Sequence, residues 1–198
     1  MVILYSGTPG SGKSCHQAED IREFLNYEHG CIIANYAIDE SRFKGAFKRG
    51  AIFVSTDNED LTPEHLIKFS KMYFKKHKFK EGAIRLYIDE CQIMFNNREW
   101  DSKGRKKWIS FFTQHRKYGY DIYLISQFDR MIDRQIRSLI EYEVKHRRLS
   151  NAGAKGIILD LFFGGKSYLA VKYWYPMHEK LGVSVHHIRN NSFCAGIG

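Results

Sequence analysis

Val2-Ile3-Leu4-Tyr5-Ser6-Gly7-Thr8-Pro9-Gly10-Ser11-Gly12-Lys13-Ser14 stands at the start of the chain. The continuous apolar run at residues 2–5 reads as a parallel strand buried on both faces. It enters a glycine-rich turn, and residues 13 to about 27 read as a helix stopped near Gly30. Gly7, Thr8, Pro9, Gly10, Ser11, Gly12, Lys13 and Ser14 match the pattern G-x-x-x-x-G-K-[ST] in full. A backbone that curls this tightly turns consecutive N–H groups toward one point, and glycines permit the curl. The helix that follows adds its positive end. ATP is the expected ligand: Lys13 would reach the β- and γ-phosphates as a point charge, and the Ser14 hydroxyl would ligate Mg²⁺. Cys15 closes the same phosphate-binding stretch, as a small packing residue.

Hydrolysis requires more than a cradle. Ile84-Arg85-Leu86-Tyr87-Ile88-Asp89-Glu90 resembles a Walker B strand, although Arg85 and Tyr87 interrupt the apolar run. Asp89 would hold Mg²⁺, and Glu90 would polarise the attacking water. Two solvated carboxylates after a strand are the plainer reading. Gln127, after the apolar strand at 122–125, could sense the γ-phosphate or position water, as could Ser126; a turn or cap residue is the alternative. Arg116, Arg130, Arg134 and Arg137 are candidates for an arginine finger in a ring, with Arg137 or Arg134 favoured by their position after Gln127. Each could equally be a surface charge.

The pattern predicts an α/β fold: a P-loop NTPase of the additional-strand type, with a mostly parallel sheet flanked by helices and a C-terminal antiparallel β-meander. Further strands are expected at 31–34 and 51–55. Thr62-Pro63-Glu64 reads as an N-cap opening a helix to about residue 75. A short helix is expected at 91–96, a polar loop at 96–107 leading into a helix that ends near Tyr118, and short helical turns at 130–137. Beyond residue 138 the reading is a strand-rich extension: strands at 139–146, 157–163 and 168–174, turns at 151–156 and Gly164-Gly165-Lys166, and weak signals after Gly182. Residues 1–138 would form the ATPase core and 139–198 the extension.

The chain of 198 residues is long enough to bury a core, and its 43% hydrophobic content excludes a disordered chain. A net charge of +9 favours anionic partners, or simply a solvated basic surface. Four cysteines without a C-x-x-C pair argue against a disulfide framework or zinc site. No apolar run approaches the roughly 18–20 residues of a membrane span, so membrane contact is expected only through a missing segment or a partner. Basic residues between Trp100 and Trp108, including Arg98, Lys103, Arg105, Lys106 and Lys107, could grip single-stranded DNA, or could form the start of an amphipathic helix. His186-His187 lacks the further ligands a metal site needs.

Several stretches coincide: the Gly-Thr-Pro-Gly-Ser-Gly-Lys-Ser loop, Tyr87-Ile88-Asp89-Glu90-Cys91-Gln92, His115-Arg116-Lys117-Tyr118-Gly119-Tyr120-Asp121-Ile122 leading to Ser126-Gln127, and Arg134-Gln135-Ile136-Arg137. Over about residues 1–175 they resemble the zonular occludens toxin family, which includes the gene I assembly proteins of filamentous phages. The resemblance implies an ATPase at the cytoplasmic face of the bacterial inner membrane that powers virion assembly and extrusion. Implied partners are other copies of the chain in a ring, phage assembly proteins and possibly virion single-stranded DNA. Family roles fall on Lys13, Ser14, Asp89 and Glu90, and less firmly on Gln127. Two other functions suit the residues: a P-loop phosphotransferase acting on a small molecule, and a non-catalytic, nucleotide-gated scaffold that binds single-stranded DNA.

Overall fold

The computed structural model describes residues 1–96, 102–151, 153–162 and 167–187. Its strands are β1 (Val2–Ser6), β2 (Cys31–Ala34), β3 (Ile52–Ser55), β4 (Ile84–Ile88), β5 (Tyr120–Ile125), β6 (Tyr142–Arg148), β7 (Ser167–Trp174) and β8 (Glu179–His187). Its helices are α1 (Lys13–Glu23), α2 (Lys44–Lys48), α3 (Pro63–Tyr73), α4 (Ser102–Gln114), α5 (Arg134–Arg137) and α6 (Ala154–Phe162). Among the described residues the strands form one eight-stranded sheet in the order β3-β2-β4-β5-β1-β6-β7-β8. All neighbours from β3 to β6 are parallel, and β7 and β8 close the sheet antiparallel.

Strand periodicity sorts the core into two layers. Ile84, Leu86 and Ile88 of β4 join Val2, Leu4, Ile122 and Leu124 beneath α3 and α4. Arg85 and Tyr87 point the other way. Tyr87 is fully buried and stacks on Tyr123 at 4.5 Å in the layer that holds Ile21 and Phe24. Arg85 lays its guanidinium 3.8 Å above the Phe24 ring and pairs with Glu28 at 3.2 Å. The two residues that seemed to interrupt β4 are therefore its second packing face, with the charge covered by an aromatic ring.

Thr62 caps α3 by accepting from the His65 N–H at 3.3 Å, with Pro63 in the first turn. The first helix continues past Glu23 as a π-helical turn, Phe24–Glu28, and ends on His29 at φ 51°.

α4 begins at Ser102, inside the loop expected at 96–107, and three further expectations change. The segment from Cys91 to Asn96 is a turn, not a helix. The Ile93 N–H closes a tight turn on the Glu90 carbonyl at 2.8 Å, the Cys91 N–H is held by the Ile125 carbonyl at 3.0 Å, and Asn96 is bridged to Ile132. Residues 157–163 were expected as a strand, but 154–162 are α6. A short apolar run has no decisive period, and β6 already takes β7 as its partner from Tyr142↔Trp174 to Arg148↔Tyr168. That pairing leaves no free edge for the segment between them. The stretch after Gly182 continues β8 to His187, paired with β7. The proposed turn at Gly164-Gly165-Lys166 lies outside the described residues.

Candidate functional site

β5 lies between β1 and β4, so the segments leaving these three strands meet at one end of the sheet. This is the end where parallel α/β sheets carry ligands. The loop of residues 7–14 leaves β1 there, Gln127 leaves β5 and the acidic pair leaves β4. The Gln127 carbonyl accepts from the Gly7 N–H at 3.4 Å, which ties the middle strand to the loop. Ser126 is engaged in its own turn, its hydroxyl donating to the Phe128 carbonyl at 3.1 Å.

The loop closes on itself through Ser11 N–H to the Thr8 carbonyl at 3.1 Å. Lys13 folds back over it, donating to the carbonyls of Gly7 at 2.5 Å and Thr8 at 3.2 Å. Burial lowers the Lys13 pKa, while Glu90 and Asp89 act to raise it. Their charges thus reach the lysine and link the two motifs. Ser11 Oγ is buried without a protein partner. Ser14 and Cys15 occupy the first turn of α1, where no acidic side chain competes for the exposed N–H groups.

Asp89 is held from three sides. Asn35 Oδ1 accepts from its N–H at 2.7 Å, Asn35 Nδ2 donates to its carbonyl at 2.9 Å, and its Oδ1 accepts from the Glu90 N–H at 2.9 Å. Burial raises the Asp89 pKa, and Lys13 counters it. Glu90 sits in the left-handed region at φ 47°, and its carboxylate accepts a hydrogen bond from the Gln92 amide. A non-glycine residue in this conformation is uncommon.

The strands beyond β1 complete the site. Lys145 pairs with Ser6 in register, and β6 runs on to Arg148. That overshoot, about 10 Å at ~3.3 Å per residue, brings β6 alongside the loop. A Cβ on Gly7, at φ 142°, would meet the His146 carbonyl at 2.5 Å; one on Gly12, at φ 102°, would meet the Tyr168 ring at 2.3 Å. These glycines are required by close approach as well as by dihedral. Arg148 Nε donates to the Gly10 carbonyl at 3.0 Å. Behind the loop, His146 Nδ1 faces the Ser6 carbonyl at 3.1 Å and must donate to it; Nε2 of the neutral ring then accepts from His16 Nδ1 at 2.8 Å. Burial, reinforced by His16, pushes the His146 pKa down to about 3. His186 bonds Glu19 at 2.8 Å and stacks on Tyr168.

The profile of the Zonular occludens toxin (Zot) family matches residues 1–191. The chain belongs to the Zot family. The gene 1 protein of Enterobacteria phage I2-2 is 36% identical over 171 residues, covering 83% of this chain and 46% of the phage protein. The chain therefore spans about half the length of that relative. Among solved structures, the N-terminal domain of zonular occludens toxin from Neisseria meningitidis aligns with TM-score 0.55 and 16% identity, over 100% of this chain and 98% of that one. The genome packaging NTPase B204 of Sulfolobus turreted icosahedral virus 2, in complex with ATP-γS, aligns with TM-score 0.59 and 18% identity over 93% and 95%. These likenesses establish the P-loop NTPase fold.

The loop, Asp89, Glu90 and Gln127 of this Zot-family chain lie at one end of the sheet. Arg137 does not join them. It lines a groove with Ile140 and Tyr175; Tyr175 bonds to Glu141 and Glu141 to Val2, at the opposite end of β1. Arg116 also lies away from the loop, paired with Glu141 at 2.6 Å. Trp108 is a core residue packed on Phe95 and Phe112, which removes it as a stacking platform for a base. Arg98 and Trp100 lie outside the described residues. Among the described residues no cluster of three or more His, Cys, Asp or Glu could hold a metal, and none of the helices is long and apolar enough to cross a membrane. Sequence reasoning missed Asn35, Gln92, His146, Arg148 and Tyr168. Asn35 and Gln92 carried a signal, the first by following a buried strand and the second by following the acidic pair.

Proposed function

We propose that this chain binds ATP with Mg²⁺ on the loop of residues 7–14 and hydrolyses it, as the cytoplasmic ATPase part of a machine for filamentous phage assembly. The observation that carries this reading is the strand order, which brings the loop after β1, Gln127 after β5 and the acidic pair after β4 to one end of the sheet. Loop N–H groups and Lys13 would hold the β- and γ-phosphates, leaving Lys13 to exchange its carbonyl partners for phosphate oxygens. Ser14 and Asp89 offer hard oxygen ligands to Mg²⁺, which usually keeps phosphate and water ligands as well. A cation there would offset the burial that disfavours the charged form of Asp89. When bound, Mg²⁺ supplies charge neutralisation on the phosphates. Glu90 would orient and deprotonate the attacking water, and Gln127 would report on the γ-phosphate.

Kinship with the gene 1 protein supports phage assembly as the setting, at the cytoplasmic face of the host inner membrane. The B204 complex with ATP-γS supports nucleotide as the ligand. A homo-oligomeric ring, phage assembly proteins and virion single-stranded DNA remain part of the proposal. The test is phosphate release against protein concentration, with and without Mg²⁺ and single-stranded DNA. Lys13→Ala should lower turnover at least about 100-fold, and Glu90→Gln should bind ATP without cleaving it. Normal turnover in either variant would defeat the assignment.

A further inference from the structure

We propose that Arg148 is the phosphate-facing arginine of this site and acts within its own chain, on the terminal phosphates of a nucleoside triphosphate. This rests on the nucleotide site proposed above. The position follows from the register: β6 pairs with β1 through Lys145↔Ser6 and ends on Arg148, level with the loop. The guanidinium is anchored by Nε to the Gly10 carbonyl at 3.0 Å, and its Nη2 lies 3.3 Å from where a Gly10 Cβ would stand. Arg148 is exposed, so its charge borders the open mouth of the loop. Three of the other arginines considered for this role have different surroundings. Arg116 is paired with Glu141, and Arg130 and Arg137 line the groove beside Tyr175.

The chemistry gives such a group a defined task. In hydrolysis the water oxygen bonds to the γ-phosphorus, and the bond to the β–γ bridging oxygen breaks with its electron pair leaving on the diphosphate. The water proton passes to Glu90. Charge builds on the leaving and equatorial oxygens, where a planar guanidinium stabilises it. Nε holds the fork in place while the Nη groups turn to the phosphates. A residue anchored to its own loop does not depend on a neighbouring subunit for its aim.

The test compares Arg148→Ala and Arg148→Gln with the unmodified chain and with Lys13→Ala, measuring phosphate release and the affinity for a fluorescent ATP analogue. Glutamine can still donate to the Gly10 carbonyl but carries no charge. Both variants should lose at least about 100-fold in kcat, with analogue affinity within about threefold of normal. An equimolar mixture of Lys13→Ala and Arg148→Ala should stay inactive, because no single chain has both residues. Recovery to about a quarter of the normal rate in the mixture would overturn action within one chain. Full rescue by glutamine would reduce Arg148 to a loop tether and overturn the proposal. Normal kcat in both Arg148 variants, with Lys13→Ala inactive, would overturn it while leaving the nucleotide site standing. Absence of turnover in the unmodified chain would overturn both.

Discussion

The parallel half of the sheet and its antiparallel extension bury different chemistry. Strands β1, β2, β4 and β5 hide apolar and aromatic side chains on both faces, and their functional groups stand only at the strand ends. Strands β6 and β7 bury Glu143, His146 and Ser167 within the ladder, with Asp160 of α6 accepting from the Ser167 N–H at 2.9 Å. Glu143 and His146 are directed at β1 and α1. Glu143 accepts from the Ser6 hydroxyl at 2.6 Å and is paired with Lys145 at 3.3 Å. His146 holds the Ser6 carbonyl and His16, and Tyr168 reaches Glu19. The core provides the frame by hydrophobic burial, and the extension fixes the loop by hydrogen bonding. Buried polar networks of this kind add specificity more than stability.

The comparison can be broken first at the core. Leu4 is fully buried in the central strand, and Leu4→Ala should cost about 2–5 kcal/mol of stability, measured by urea unfolding. Analogue affinity of the folded fraction should stay unchanged. A large loss of affinity at unchanged stability would show that frame and site are not separable in this way.

The extension should respond to acid through His146. The folded pKa of His146 is depressed from 6.5 to about 3, so the unfolded chain binds the proton more readily. The stabilisation is complete above about pH 6.5 and is lost as pH falls through the window toward 3. The cost between pH 6.5 and 5 is about 2 kcal/mol, or roughly 4–8 °C in Tm. His16 faces the same ring and its own pKa is lowered by burial; His186, Glu19 and Asp20 complete the cluster. His146→Gln should flatten the acid limb of Tm against pH. An unchanged limb would take the extension out of the pH response.

The smallest expected effect falls at the junction of frame and site. Asn35→Ala removes both side-chain bonds to the Asp89 backbone. It should slow phosphate release about tenfold, the equivalent of ~1.4 kcal/mol, and lower stability by about 1–2 kcal/mol. A rate unchanged within about twofold would mean that Asp89 is aimed without Asn35.

Much of the frame was readable because its signals are local. A continuous apolar run, a glycine-lysine-serine turn, a Thr-Pro cap and an acidic strand end each fix their own backbone. Residues 91–96 and 157–163 were misread because their neighbours decide them. The bridge from Asn96 to Ile132 draws the first out as a turn, and β7 takes the place beside β6 that the second would have needed.

The amino-acid order alone determined that a tight glycine-rich loop follows the first strand and that two acids follow another. Those features depend on backbone conformation over a few residues, which local sterics and hydrogen bonding control. Only the tertiary structure decided that Asn35 clamps Asp89 and that Arg148, far along the chain, rests on Gly10. The reason is register. A strand's partner, and how far it runs past that partner, are set by packing across the whole sheet.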